Sequence, residues 1–370
     1  MDFQRGGYLM DRRSFLRTSA VGGAAAASTT LAAPLYAQGN RTLTLVTSVP
    51  DGFAIFDDAA QTAIDYIAAM TDGQLTFNKN SAGSLVGAFE VFDAVSAGQA
   101  DVYHSAEYYF LNQHPAFAFF TSVPFGMTAQ EMANWYYQRG GQDLHDELSS
   151  LFNLKPIMCG MTAMQPGGWF NKEINSVDDL QGLRFRMPGQ GGQVLGRLGA
   201  SVQNIPGGEI YQALSSGQID GAEWIGPYAD ERMGFQEVTN TYYAAGFHEP
   251  GSALCLSFNL EIWESLTPAQ QRICEVACQA AHAENTALSL AENGAALARL
   301  EAGGTQVRQF PEEVWDAFGA AAAEVREENM SDEIYANIAE SYFASQAESA
   351  GWYEIADGEY MRQRNRVNAG

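Results

Sequence analysis

A stretch of twelve residues occurs twice in this chain. Glu90-Val-Phe-Asp-Ala-Val-Ser-Ala-Gly-Gln-Ala-Asp101 and Glu209-Ile-Tyr-Gln-Ala-Leu-Ser-Ser-Gly-Gln-Ile-Asp220 align without a gap at an offset of 119 residues. Glu, an aromatic residue, Ala, Ser, Gly, Gln and Asp recur at equivalent positions. Each copy reads as a helix, a glycine that ends it in a left-handed conformation, and a strand leaving that cap. One such unit is common. Two at this spacing predict two similar α/β lobes. An aromatic segment follows each copy: Glu107-Tyr108-Tyr109-Phe110 and Glu223-Trp224-Ile225-Gly226-Pro227-Tyr228. Open α/β sheets bind ligands in loops at the carboxyl ends of their strands. Two such loops, one per lobe, would face each other across a cleft.

The pattern around the first copy supports an α/β lobe with a mainly parallel sheet. Residues 41–48 alternate and are β-branched, so they predict the first strand. An amphipathic helix over 53–71, a short strand at 75–78, a helix from Gly87 to Ala97 and a buried strand at 100–103 follow. Residues 155–160 and 167–170 read as extended segments near a crossover between lobes. Ser176 starts a capped turn, its oxygen offered to the following amides. Residues 183–187 alternate as a strand stopped by Pro188-Gly189, Gly192 to Leu198 is a helix, and 253–259 another strand. From about Glu261 the chain turns Ala- and Glu-rich. Thr267-Pro268 starts a helix, Gly303-Gly304 and the following residues to Phe310 make one extended break, and helical pattern resumes to about Ser349.

The first residues belong to an address rather than a fold. Arg12-Arg13-Ser14-Phe15-Leu16-Arg17 precedes an Ala-rich run and ends near small Ala37. Residues 1–37 therefore resemble a twin-arginine export signal, the plainer reading being an ordinary secretory signal. Either puts the mature protein outside the cytoplasm. The apolar run is too short and too rich in Ala, Gly, Ser and Thr for a membrane anchor. A formal net charge of -24 argues against nucleic-acid binding, which needs a basic surface, and against docking on anionic lipid. It does not prevent capture of a small anion, because one buried arginine can set the field inside a cleft. Export permits disulfides. Cys274 and Cys278, at i and i+4, read instead as small buried residues; Cys159 and Cys255 would pair only if their strands are neighbours.

Chemistry-bearing motifs are few. Phosphate-binding loops, dinucleotide fingerprints and a nucleophile elbow do not occur in the sequence, and the five histidines show no metal spacing. What remains is an arginine and several oxygen-bearing side chains in apolar, Gly-rich surroundings. Arg186 ends an alternating strand, where a guanidinium can grip a carboxylate with two parallel bonds. Arg184 lies on the same side by strand parity and competes for that role. Gln165, Glu223 and Glu249 are flanked by Met, Trp, Pro and Gly. Oxygens in such settings are costly to bury unless they coordinate something, and a hard cation would satisfy them.

Residues 178–189 (Asp-Asp-Leu-Gln-Gly-Leu-Arg-Phe-Arg-Met-Pro-Gly), 205–214, 217–223 and the long helical tail resemble the solute receptors of tripartite ATP-independent periplasmic (TRAP) transporters. The resemblance spans about Thr42 to Tyr353. It implies a two-lobed α/β periplasmic binding-protein fold, with a cleft between the lobes and long C-terminal helices. Residues 40–160 would form mainly the first lobe, 161–255 mainly the second with crossover segments, and 256–370 a helical region spanning both. It also implies an organic-acid ligand held by Arg186. Ala118 to Gly126, Gln165 with Gly167-Gly168-Trp169-Phe170, Glu223-Trp224 and His248-Glu249-Pro250-Gly251 resemble the receptors for 2-oxo acids such as pyruvate, and for lactate. There a sodium or calcium ion bridges protein and ligand. Carried over, Gln165, Glu223, Glu249 and the Trp224 carbonyl would hold the cation, and Arg186, Gln165, Trp224 and Tyr108 or Tyr109 the substrate. Membrane permease subunits would be partners, and exchange of C-terminal helices would allow a homodimer. Pro166, which restricts the residue before it, departs from the pattern.

The expected protein is thus a periplasmic receptor, not an enzyme, with no catalytic cofactor. A C4-dicarboxylate ligand would need a second base, Arg184 or Arg232. A twin-arginine-exported enzyme and a sensor subunit are the readings of other classes. The sequence further predicts that Arg186→Ala abolishes ligand stabilisation while leaving the unliganded protein nearly as stable.

Overall fold

The computed structural model describes residues 39–368, so the export-signal assignment lies outside the described residues. The elements are β1 (Arg41–Thr47), α1 (Phe56–Met70), β2 (Leu75–Asn80), α2 (Val91–Ser96), β3 (Val102–Ser105), α3 (Ala129–Gln138), α4 (Gly141–Ser150), β4 (Leu154–Met161), β5 (Pro166–Phe170), β6 (Arg184–Arg186), α5 (Gly189–Arg197), β7 (Ser201–Gln203), α6 (Ile210–Ser215), β8 (Gly221–Ala222), α7 (Pro227–Met233), β9 (Thr241–Ala245), β10 (Ala253–Asn259), α8 (Leu260–Glu264), α9 (Pro268–Ala302), β11 (Gln306–Arg308), α10 (Glu312–Glu327), α11 (Glu333–Tyr353) and α12 (Glu359–Asn368). They build two sheets, β2-β1-β3-β10-β4 and β11-β9-β5-β8-β6-β7.

The internal echo is a structural repeat. Gly98 has φ 71° and Gly217 φ 72°, the left-handed conformation that only glycine adopts without strain. Around them the same backbone bonds recur 119 positions apart. Gly98 N–H donates to Val95 and Gln99 N–H to Ala94, as Gly217 donates to Leu214 and Gln218 to Ala213. The aspartates that close the two copies also correspond. The Asp101 carboxylate accepts from Thr44 N–H at 2.7 Å, and the Asp220 carboxylate from Arg184 N–H at 3.0 Å. Each locks the exit strand to a parallel neighbour, so the loop beyond it leaves the sheet at a defined place.

The sheets are mixed rather than mainly parallel. β10 runs antiparallel to both β3 and β4, and β5 antiparallel to both β8 and β9. The cause is the path of the chain, which leaves the first sheet after Met161, enters the second at Pro166 and returns between Ala245 and Ala253. Accordingly 253–259 belongs to the first sheet, and β11, from the C-terminal region, pairs with β9 in the second. The two crossing segments run side by side. Thr162 N–H donates to Ser252, Gln165 N–H to Glu249 and Gly246 N–H to Gln165.

Helix α9 is the third connection. Thr267 caps it, its hydroxyl accepting from Gln270 N–H at 3.2 Å while the Gln270 side chain accepts from Thr267 N–H at 3.0 Å. It packs on α1 and β4 of the first lobe and α7 of the second. Asn285 fastens it to the first lobe, donating to the Ile55 carbonyl at 2.8 Å and accepting from Met161 N–H at 2.9 Å. Asn293 fastens it to the second, accepting from Tyr228 N–H at 3.0 Å.

Smaller differences have local causes. Helix α2 starts at Val91, not Gly87, because the Glu90 carboxylate accepts from Gly87 N–H at 2.8 Å and holds the preceding residues in a turn. The turn at 176–180 is held by the Asp179 carboxylate, which accepts from Asn175 and Ser176 N–H, rather than by the Ser176 oxygen alone. Helix α5 begins at Gly189, and helix continues past Ser349 through a π-helical turn at 354–358 into α12. Strands β4 and β10 are neighbours, but Cys255 sits opposite Met158, and all four cysteines are buried free thiols.

Candidate functional site

Arg186 comes from the end of β6 and is fully buried. Its side chain is spoken for on three sides. Nε donates to the Ile205 carbonyl at 3.0 Å, Nη1 to the Glu223 carbonyl at 3.2 Å and to the Glu223 carboxylate, and Nη2 to the Tyr109 hydroxyl at 3.4 Å. Burial works against its charge, yet Glu223, Tyr109 and Tyr108 outweigh it and hold the guanidinium above its ordinary pKa. The face of the Trp224 ring lies 5.4 Å from the guanidinium carbon, within cation–π range. Trp224 in turn meets Phe53 and Phe56 of the first lobe. The two aromatic loops therefore do converge, Tyr108-Tyr109 from one lobe and Glu223-Trp224 from the other. Beside the first of them, between Tyr108-Tyr109 and the segment that follows β6, opens a cleft of about 560 Å³ lined by Tyr108, Tyr109, Met187, Pro188, Gly189 and Asn204.

The crossing segments bring the oxygens. Gln165, from the outgoing segment, donates through Nε2 to Glu249 at 2.6 Å and to Thr162 at 3.1 Å. Glu249, from the returning segment, also accepts from Ser252 at 2.5 Å. Its pKa is pushed up to about 7, first by burial and then by the nearby Glu223 charge. Oxygen and nitrogen atoms of Glu223, His248 and Glu249 lie within 4.8 Å of one another. Gln165 Oε1, Glu223 Oε2 and both ring nitrogens of His248 are buried with no hydrogen-bond partner. Buried polar atoms are almost always paired, so a group of orphans at one spot marks a place built for something else. These donors fit a hard cation: an amide oxygen and two carboxylates, with a net negative field.

The sequence-predicted residues are thus brought together: Arg186, Gln165, Glu223, Trp224 and Glu249 form one cluster, with Tyr108 beside Gly189 at its rim. Arg184 is excluded. It opens β6, at the other end of the strand from Arg186, where it is exposed and binds the Asp220 carboxylate. Sequence reasoning missed His248, whose Nε2 lies 3.6 Å from Glu223. Its place beside Glu249 in the returning segment was the available signal. It also missed Asp230, which accepts from Trp169, Tyr242 and the Ile225 and Gly226 amides and so anchors the loop that carries Trp224.

Residues 45–333 match the family of bacterial extracellular solute-binding proteins, family 7, known as DctP. The chain belongs to that family. It is a periplasmic solute receptor of the TRAP type. A monocarboxylate 2-oxoacid-binding periplasmic protein of Nostoc sp. is 40% identical over 317 residues, 85% of this chain and 87% of that one. A TRAP periplasmic solute-binding protein of Pseudoalteromonas atlantica, crystallised with sodium and pyruvate, is 37% identical with a TM-score of 0.84, over 87% of this chain and 99% of that one. Another from Bordetella bronchiseptica, a mixed-occupancy dimer with copurified calcium and picolinate, is 34% identical with a TM-score of 0.87, over 90% and 99% of the two chains. Among the described residues no helix is long and apolar enough to cross a membrane.

Proposed function

We propose that this receptor captures a short 2-oxo monocarboxylate, pyruvate or a close analogue such as lactate, and passes it to the membrane permease of its transporter. The observation that carries this is the fully buried Arg186 in one cluster with the unpartnered Gln165 Oε1 and Glu223 Oε2. The ligand carboxylate would take guanidinium bonds that Glu223 now holds. Gln165, Glu223, Glu249 and the Trp224 carbonyl would hold a sodium or calcium ion, which supplies positive charge to the ligand's oxygens when bound. Such a charge is needed. Two protein carboxylates and the ligand's own face one guanidinium, and an uncompensated buried charge is costly.

A monocarboxylate is favoured over a C4-dicarboxylate because both candidate second bases are engaged elsewhere. Arg184 pairs with Asp220, and Arg232 stacks on Tyr228 at 3.7 Å from the ring centre. Closure of the lobes about the crossing segments would present the loaded form to the permease. A homodimer through the C-terminal helices is supported by exposed Trp352, Ile355, Tyr360 and Val367 and by the dimeric Bordetella relative. The role needs no catalysis. Incubation with pyruvate should leave it unchanged, whereas turnover would point to an exported enzyme.

A thermal-shift screen of small organic acids, with and without sodium or calcium, tests the reading. A ligand at a hundred times its Kd stabilises the fold by about 2.7 kcal/mol. Pyruvate with a cation should raise the midpoint more than succinate does. A panel in which no 2-oxo acid raises it would overturn the assignment.

A further inference from the structure

A second constellation lies inside the first lobe, away from the cleft. Glu107, His145 and Cys255 come from three different elements: the one-turn segment after β3, helix α4 and strand β10. All three are fully buried, and one ligand atom from each lies within 4.8 Å of the other two. Cys255 and Ser257 project from the same face of β10 by strand parity. The Glu107 carboxylate sits over that face, accepting from Ser257 at 3.0 Å and from the Tyr103 hydroxyl at 2.9 Å and 3.0 Å.

His145 is set by its neighbours. Its ring stacks on Phe120 at 4.0 Å, and Nδ1 lies 2.9 Å from the Tyr136 hydroxyl. The Tyr136 hydroxyl also lies 3.5 Å from the Phe120 carbonyl, so it can donate there while accepting from Nδ1–H. In that tautomer Nε2 carries a lone pair. That nitrogen has no hydrogen-bond partner and faces Glu107 Oε1 at 3.9 Å. Electron-pair donors thus converge on one buried point: an imidazole nitrogen, a carboxylate oxygen and a sulfur. The outer shell is also in place, since a metal-binding histidine ordinarily donates its other nitrogen to a fixed acceptor.

We propose that Glu107, His145 and Cys255 form a second metal site, suited to a borderline divalent ion such as zinc. Nitrogen, sulfur and carboxylate oxygen together select this class, unlike the all-oxygen set that suits sodium or calcium in the cleft. Charge agrees with it. On binding, Cys255 gives up its thiol proton to solvent, and the thiolate and the Glu107 carboxylate neutralise a dication. The buried site is then uncharged as a whole. Glu107 immediately precedes Tyr108 and Tyr109, so an ion here would stiffen the wall of the ligand cleft.

The test uses the full chain, unfolded with a chelator and refolded with cobalt(II) as the spectroscopic stand-in for zinc. The wild type should show a thiolate-to-cobalt charge-transfer band in the near ultraviolet. The band should persist in Glu249→Gln, which alters only the cleft, and vanish in Cys255→Ser. Zinc should raise the melting midpoint of the wild type and not of His145→Gln. If Cys255→Ser does not fold, elemental analysis of wild type refolded with zinc and gel-filtered decides instead: zinc retained with the chain is expected. No band and no retained zinc, or a band that survives Cys255→Ser, would overturn the site and leave a buried water or shared proton between His145 and Glu107.

Discussion

Arg186 reaches Glu223 twice, donating from Nη1 to both its backbone carbonyl and its carboxylate, with both side chains wholly shielded from water. The residue that should grip the ligand is therefore also half of a buried ion pair. This changes what its removal does. Arg186→Ala strips the partner from a buried carboxylate, a loss of about 3–5 kcal/mol, so the unliganded protein should be clearly destabilised in denaturant melts. The sequence alone suggested near-neutral behaviour, because it could not show the pair. Adding Glu223→Gln should recover part of that stability without restoring ligand response. An Arg186→Ala protein as stable as wild type would mean the pair does not form.

Bulk at position 207 should reach the site without touching it. A Cβ on Gly207 would come 2.4 Å from the Trp224 ring, and the indole cannot yield without leaving Arg186. Overpacking of this kind costs about 1–3 kcal/mol. Gly207→Ala should therefore lower the melting midpoint and reduce the stabilisation by pyruvate. Unchanged ligand response would show that the position of Trp224 is not critical.

Asp230 gives the fold a pH dependence whose sign is unusual for an aspartate. Burial pushes its pKa up to about 6 from 3.8, despite the bonds from Trp169, Ile225, Gly226 and Tyr242 that favour the charged form. Between about pH 4 and pH 6 the folded state keeps a proton the unfolded state has released. Its stabilising contribution is thus fully present below about pH 4 and is lost as pH rises through 6, an amount on the order of 3 kcal/mol. Asp230→Asn should flatten this part of the stability–pH profile, measured by denaturant titration from pH 4 to 7. An unchanged slope would place the dependence elsewhere.

Much of the fold was legible because local rules and tertiary structure agreed. Gly98 and Gly217 had to be left-handed caps, and Thr267-Pro268 had to start a helix; both hold. The mixed sheets were not legible, since strand direction depends on which lobe the chain arrives from. Within the site, Arg186 stood out as a charge in an apolar strand, but parity could not separate it from Arg184. That separation comes from Asp220, which captures Arg184 at the start of β6. The group of Glu107, His145 and Cys255 was hidden for another reason. Its members are far apart in the chain and show no ligand spacing, and only folding brings them within reach.

The claim at the centre is that Arg186 reads a carboxylate. Calorimetric titration of the wild-type chain in calcium buffer, with pyruvate and then with its uncharged amide, tests it without any mutation. Charge-assisted hydrogen bonds contribute about 1.5–3 kcal/mol, so pyruvate should bind and the amide should bind at least about tenfold more weakly. Equal affinities for the two would contradict the account.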